Sequence, residues 1–248
     1  KADLHLTVGL GALVGLFDLD ATTGALTDFA DAAVQSSLAA LARFEGLTPD
    51  AVRGAAPGFF LLAMGKMGAR ELNYSSDIDL VAFFDAEVLG AGGREAQKIA
   101  SRLAQQLMQV LETRTEHGYV FRTDLRLRPD PGATPPAVST DAAESYYESY
   151  GQNWERAAFI KSRLCAGDPL AAQAFQKVID AFVWRKNLDF AAIADIHSIK
   201  RQIHAHKKLG GLSDPDPDLK IGRGGIREIE FFAQTQQLIL GGRNAWRV

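Results

Sequence analysis

The chain has 248 residues, room for one large domain or two modest ones, and its 47% apolar and 23% charged residues are ordinary for a soluble globular protein. A formal charge of −3 argues against a non-specific nucleic-acid binder, while leaving room for a local basic site. Cys165 is the one cysteine, so the chain forms neither an intrachain disulfide nor a zinc cluster, and a reduced, cytoplasmic setting is expected. Residues 4–45 read as helical, with Leu10, Leu13, Phe17, Phe29, Ala33, Leu38 and Leu41 near helical spacing. The stretch Asp20-Ala21-Thr22-Thr23-Gly24 is expected to divide them into at least two helices. Residues 6–17 are apolar but too short to span a bilayer, and no cationic leader precedes them. The chain opens at Lys1 without Met and stops at Val248 just after a helical segment, so it reads as an excised piece of a longer protein.

Residues 59–64 and 78–84 read as two apolar strands, joined by a Gly turn and a short polar helix. The second strand opens on Asp77 and Asp79, which are two residues apart and therefore share a face, with Ile78 and Leu80 facing the core. Adjacent carboxylates repel each other, and each is costly to desolvate. A divalent cation removes both costs, and an all-oxygen donor set favours Mg²⁺. Gly65 and Gly68 are expected to let backbone N–H groups approach a phosphate, with Lys66 and the Ser76 hydroxyl beside it.

Residues 94–114 read as a long helix with Ala96, Ile99, Leu103, Leu107 and Val110 on one stripe. Residues 119–128 read as a third long strand, on which Asp124, Arg126 and Arg128 alternate with Leu125 and Leu127. An exposed sheet face would alternate in the same way, but the favoured expectation is that Asp124 supplies a third carboxylate for a metal site and the two arginines grip phosphate oxygens. Pro129 ends the strand and 130–136 is a Pro-rich loop. From Asp141 onward the chain reads as all helix: 141–150, 154–164, 169–184, 190–209 and 226–240, with a Gly-, Pro- and Asp-rich loop at 210–218. Lys161 adds a cation. Arg223 adds another in the Gly-rich turn at 222–225, which reads as a phosphate or ribose contact. Glu155, Arg156, Lys161 and Arg163 read equally well as cleft residues and as a structural ion-pair network. Glu228 and Glu230 read as metal or base partners or simply as dipole partners of their helix.

Taken together, the apolar strand, the Gly turn and the Asp-x-Asp inside a second strand resemble the nucleotidyltransferase fold of polymerase-β-like enzymes. That resemblance implies an α+β fold with a small mixed sheet plus a helical domain. Residues 1–50 would then be N-terminal helices, 51–140 the catalytic core, and 141–248 a helical domain closing over the nucleotide.

Four segments in order resemble one family, the glutamine synthetase adenylyltransferases. They begin with Gly65-Lys66-Met67-Gly68-Ala69-Arg70-Glu71-Leu72-Asn73-Tyr74-Ser75-Ser76-Asp77-Ile78-Asp79-Leu80 and Asp124-Leu125-Arg126-Leu127-Arg128-Pro129. They continue with Trp154-Glu155-Arg156-Ala157-Ala158-Phe159-Ile160-Lys161-Ser162-Arg163 and Lys220-Ile221-Gly222-Arg223-Gly224-Gly225-Ile226-Arg227-Glu228-Ile229-Glu230-Phe231. Met67, Ala69 and Ala157 depart from the usual Leu, Gly and Tyr, and none of these is a carboxylate.

The resemblance implies the amino-terminal, deadenylylating half, which removes AMP from a glutamine synthetase tyrosine by phosphorolysis and releases ADP. Asp77, Asp79 and Asp124 would hold Mg²⁺. Gly65, Lys66, Ser76, Arg126, Arg128, Lys161 and Arg223 would bind nucleotide and phosphate. Glutamine synthetase is the implied protein substrate, ATP, ADP and phosphate the small ligands, and a PII-type signalling protein a partner of the full-length enzyme. Neither nucleic acid nor membrane is expected as a partner. Adenylylation from ATP, a silent nucleotide-sensing module and an RNA nucleotidyltransferase are the alternatives, and the acidic balance disfavours the last.

Overall fold

The computed structural model describes residues 1–90, 92–185, 219–220, 222 and 224–242. The described elements, in order, are α1 (Ala2–Leu13), α2 (Leu19–Phe44), β1 (Phe59–Ala63), α3 (Gly65–Gly68), β2 (Ile78–Phe84), α4 (Gly93–Glu112) and β3 (Thr123–Asp124). Then come β4 (Ala137–Ser139), α5 (Thr140–Ser149), α6 (Asn153–Phe159), β5 (Arg163–Gly167), α7 (Pro169–Val183) and α8 (Ile226–Gly241). The molecule is thus α+β with a small mixed sheet, as expected.

The sheet runs β3-β2-β1-β5, with β4 also on β2. β1 and β2 are antiparallel, Phe59 opposite Phe84 and Ala63 opposite Leu80. β3 and β4 both lie parallel to β2, β3 beside Ile78 and Asp79 and β4 beside Ala82 to Phe84. They act as one edge strand interrupted by an excursion through residues 125–136.

Side-chain alternation divides the central strands between two apolar layers. Phe59, Leu61 and Ala63 of β1, with Ile78, Leu80, Ala82 and Phe84 of β2, pack in one cluster with Val34 and Leu38 of α2 and Leu103 and Leu107 of α4. On the other face the Phe60, Phe83 and Phe175 rings meet, with the Phe83 and Phe175 centroids 4.6 Å apart. Burial on both faces is why β1 reads as a continuous apolar run rather than an alternating one. Truncating Phe83 to Ala would cost about 3–5 kcal/mol.

Several elements differ from the sequence expectation. The break in the N-terminal helices falls at 14–18, where the Asp18 carboxylate accepts the Ala21 N–H (2.8 Å) and caps α2, while Gly24 lies inside that helix. Leu10 and Leu13 are exposed, whereas Gly11 is buried because the Phe17 ring lies where its Cβ would stand. On α4, Val110 points outward, and the buried stripe runs through Ala96, Ala100, Leu103, Ala104, Leu107 and Leu111.

The third strand is two residues long, not ten. The Arg126 N–H turns back to the Asp124 carboxylate (2.8 Å), and the chain leaves the ladder at once. The region after 141 is not all helix, because Arg163–Gly167 pairs antiparallel with β1. The expected helix at 190–209 lies outside the described residues.

The chain falls into two compact units, one of residues 1–149 and 161–178 and one of residues 150–160 and 179–248. The sheet and all three aspartates belong to the first. In the second, Arg156 is buried at 1% exposure and donates Nε to the Phe182 carbonyl (2.7 Å) and Nη1 to Asn153 Oδ1 (3.2 Å). Burial pushes its guanidinium down to about 10, and Arg185 adds to the effect. Glu155 is also buried and accepts the Gln152 N–H (2.7 Å) as part of a capping box. The Glu155 and Arg156 side chains, read from the sequence as cleft candidates, are thus buried and hydrogen-bonded within their own unit. No helix among the described residues is long and apolar enough to cross a membrane.

Candidate active site

β1 ends at Ala63, and the Met64 N–H donates to the Asp79 carbonyl (2.9 Å), which brings the turn after β1 alongside the start of β2. Gly65 has φ +53°, and a Cβ on it would lie 2.8 Å from Asp79 Oδ2. A glycine at this turn is thus required twice, by its backbone conformation and by the carboxylate beside it. Gly68 is also required, by a different neighbour. A Cβ there would fall 1.8 Å from the Lys161 carbonyl oxygen and 2.7 Å from that of Ala63, so its close neighbour is the protein's own backbone.

Between α3 and β2, Asn73 organises the loop. Its Oδ1 accepts from the Ser75 N–H (3.1 Å) and the Ser76 hydroxyl (2.8 Å). Ser76 therefore already has a partner for its hydroxyl proton. Asp77 follows, exposed, and Asp79 is half-buried at the start of the face that continues through Val81 and Phe83. Asp79 stands opposite Asp124 in the β2–β3 ladder.

Asp77 and Asp124 share the wall of an open cleft of about 840 Å³ with Arg126, Arg128, Glu112 and Arg122. Arg126 grips Asp124 through Nε, 3.0 and 2.9 Å from the two carboxylate oxygens, and through Nη2. That guanidinium holds the Asp124 carboxyl below the usual carboxylate range. In turn the Arg126 proton is held more tightly, first by the hydrogen bond to Asp124 and then by the fields of Asp124, Asp79 and Asp77. One cation thus lies within the field of all three aspartates.

Arg128 differs from Arg126. It donates to the carbonyls of Leu125 (2.9 Å), Pro131 (2.9 Å) and Thr134 (3.1 Å), and burial lowers its pKa. These contacts staple the 125–136 excursion. Lys161 pairs with Glu71 at 2.9 Å, and Arg163 bridges Asp31 (2.8 Å) and the Met67 carbonyl (3.0 Å). Lys66 is exposed. Arg223 lies outside the described residues. In its turn, Glu228 accepts the Gly224 N–H (3.0 Å), a local role at the start of α8.

The donor chemistry at the start of β2 and the end of β3 fits a hard divalent cation, since it consists of carboxylate oxygens. Among the described residues no three Asp, Glu, His or Cys side chains already converge as a cage. Asp124 is hydrogen-bonded to the Arg126 guanidinium, and the fields of Asp79 and Asp77 also favour its charge. Two residues of the cleft escaped the sequence reading. Glu112 closes α4 and Arg122 precedes β3, and both hold the Asp124 strand. The signal for Arg122 was its place two residues before Asp124. For Glu112 it was a lone acid at the polar end of an amphipathic helix.

Fold and cleft define an α+β core that presents acidic groups from adjacent strands together with arginines. Comparison with known proteins narrows this. The family model for glutamate-ammonia ligase adenylyltransferase matches residues 1–178, and the chain belongs to that family. A second family model, GlnD PII-uridylyltransferase, matches residues 197–247. Curated relatives carry the name bifunctional glutamine synthetase adenylyltransferase/adenylyl-removing enzyme. The chain is 59% identical to the protein of that name from Caulobacter vibrioides and 54% identical to the one from Rhizobium meliloti. It is 52% identical to the one from Mesorhizobium japonicum. Each match covers 98% of this chain and 25% of the relative, so the chain spans about a quarter of the length of the relatives it matches.

Proposed function

We propose that this chain is a nucleotidyltransferase core of the polymerase-β-like fold that removes AMP from an adenylylated tyrosine of glutamine synthetase. The reaction is phosphorolysis. An oxygen of inorganic phosphate bonds to the α-phosphorus, the bond from phosphorus to the tyrosyl oxygen breaks, and ADP leaves. The proton of the attacking hydrogen phosphate ends on the phenol, restoring tyrosine. The observation that carries this reading is the ladder position of Asp79 opposite Asp124, with Asp77 in the same cleft and a single guanidinium in the field of all three.

Asp77, Asp79 and Asp124 are the residues that would hold Mg²⁺. When bound, the metal supplies charge neutralisation for the phosphates and for the departing phenolate. Gly65 keeps the Asp79 carboxylate free of a neighbouring Cβ. Arg126, hydrogen-bonded to Asp124, is the cation suited to an incoming phosphate oxygen. The phenol, with a pKa of about 10, is a tolerable leaving group in such a site.

The relatives' name includes both adenylyltransferase and adenylyl-removing activity, which supports glutamine synthetase as the substrate and keeps transfer of AMP from ATP as the second reading. A PII-type signalling protein, suggested by the second family match, acts on the longer enzyme, and the setting is cytoplasmic. Asp77→Asn, Asp79→Asn and Asp124→Asn test the site. Each should abolish turnover with the fold intact, and full activity in any of them removes that residue from the set.

A further inference from the structure

A strand of two residues does not fix its own register. Yet the register of β3 decides where Asp124 points, because a slip by one residue would turn its carboxylate to the opposite face. The segment leading into it is held amide by amide. The Val120 and Phe121 N–H groups donate to the Leu111 carbonyl in the last turn of α4, at 2.9 and 3.0 Å. The Arg122 carbonyl accepts the Ile78 N–H at 2.9 Å. The Arg122 guanidinium donates to the Ser75 carbonyl at 2.7 Å, joining the segment to the loop that carries Asp77. The Thr123 N–H and hydroxyl both donate to one oxygen, Oε1 of Glu112, at 2.8 and 2.6 Å.

We propose that Glu112 and Arg122 are positioning residues that lock Asp124 in register with Asp79 and set Asp77 beside them. The inference rests on reading the three aspartates as the metal-holding set. Glu112 acts as a hydrogen-bond acceptor, not as a further metal ligand or a base. Both Thr123 donors converge on a single oxygen, and glutamine at 112 keeps an oxygen of the same reach. A ligand or a base needs the negative charge and is lost in glutamine.

The test compares Glu112→Gln, Glu112→Ala and Arg122→Met with the unaltered chain by two measurements. One is hydrogen exchange at the Ile78 amide, whose bond to Arg122 none of these side chains makes directly. The other is Mn²⁺ binding followed by electron paramagnetic resonance. Glu112→Ala should speed Ile78 exchange and weaken Mn²⁺ binding roughly 10–100-fold, the usual cost of losing a residue that orients a ligand. Arg122→Met should act in the same direction, and it stands in if Glu112→Ala fails to fold. Glu112→Gln should resemble the unaltered chain in both. Glutamine as damaging as alanine overturns the acceptor role. Unchanged Ile78 exchange in Glu112→Ala and Arg122→Met overturns the lock, and faster exchange with unchanged Mn²⁺ affinity overturns its service to the aspartates. An unaltered chain that takes up no Mn²⁺ contradicts the metal reading of the site itself, a result distinct from these.

Discussion

Gly65 and Asp79 occupy space that only a glycine leaves open: a Cβ on Gly65 would stand 2.8 Å from Asp79 Oδ2, and the Gly65 backbone is left-handed. Gly65→Ala therefore meets a backbone cost of about 1–2 kcal/mol and displaces the carboxylate as well. Turnover should fall at least tenfold while melting shifts by only a few degrees. Melting with activity kept would show that Asp79 tolerates the move.

Gly68 makes a different prediction from the same turn. Its absent side chain admits the Lys161 carbonyl, which is backbone and cannot swing away. Gly68→Ala should cost about 3 kcal/mol or more of folding stability, near the upper range for overpacking. Denaturant unfolding reads it directly, and a loss within 0.5 kcal/mol of zero, the usual span of a neutral surface change, would contradict the close approach.

The two arginines of the Arg-Leu-Arg segment should separate cleanly. Arg126→Gln removes an exposed cation bound to Asp124, so it should raise the phosphate concentration needed for half-maximal rate with little change in melting. Arg128→Gln removes donors to three backbone carbonyls, so it should lower the melting temperature and expose residues 125–136 to exchange. Equal kinetic effects with unchanged stability in both would place Arg128 on the ligand instead.

The depressed Asp124 pKa has a defined sign. The folded carboxyl titrates below its ordinary value of 3.8, held there first by the Arg126 guanidinium. Its contribution is present above the unfolded pKa and is lost as pH falls through the lower folded value, so the window lies on the acid side of about 4. Carbon-13 titration of the Asp124 carboxyl should give a midpoint under 3.8, and Arg126→Met should raise it. An unmoved midpoint in the variant would remove Arg126 as the cause.

Much of this arrangement was legible in the residues. The apolar runs at 59–63 and 78–84 announce two buried strands, and Asp79 falls on the face opposite Ile78 and Leu80. The alternation of Asp124, Arg126 and Arg128 misled, since it mimics a strand. The Arg126 N–H donating to the Asp124 carboxylate and the Arg128 guanidinium donating to three carbonyls turn the chain, and alternation carries no trace of them. β5 was hidden for another reason. Arg163–Gly167 follows a helical segment and is recruited by the free edge of β1, a long-range pairing that local pattern does not encode. Gly65 and Gly68 look alike in a Gly-x-x-Gly, yet one faces a carboxylate and the other a carbonyl, a distinction made only by the fold.

The most direct measurement mixes this chain with adenylylated glutamine synthetase, Mg²⁺ and inorganic phosphate and follows ADP. Phosphate-dependent ADP release, absent in Asp124→Asn, is the expected result. Rapid transfer of AMP from ATP to unmodified glutamine synthetase, with no phosphate-dependent ADP, would contradict the proposed direction.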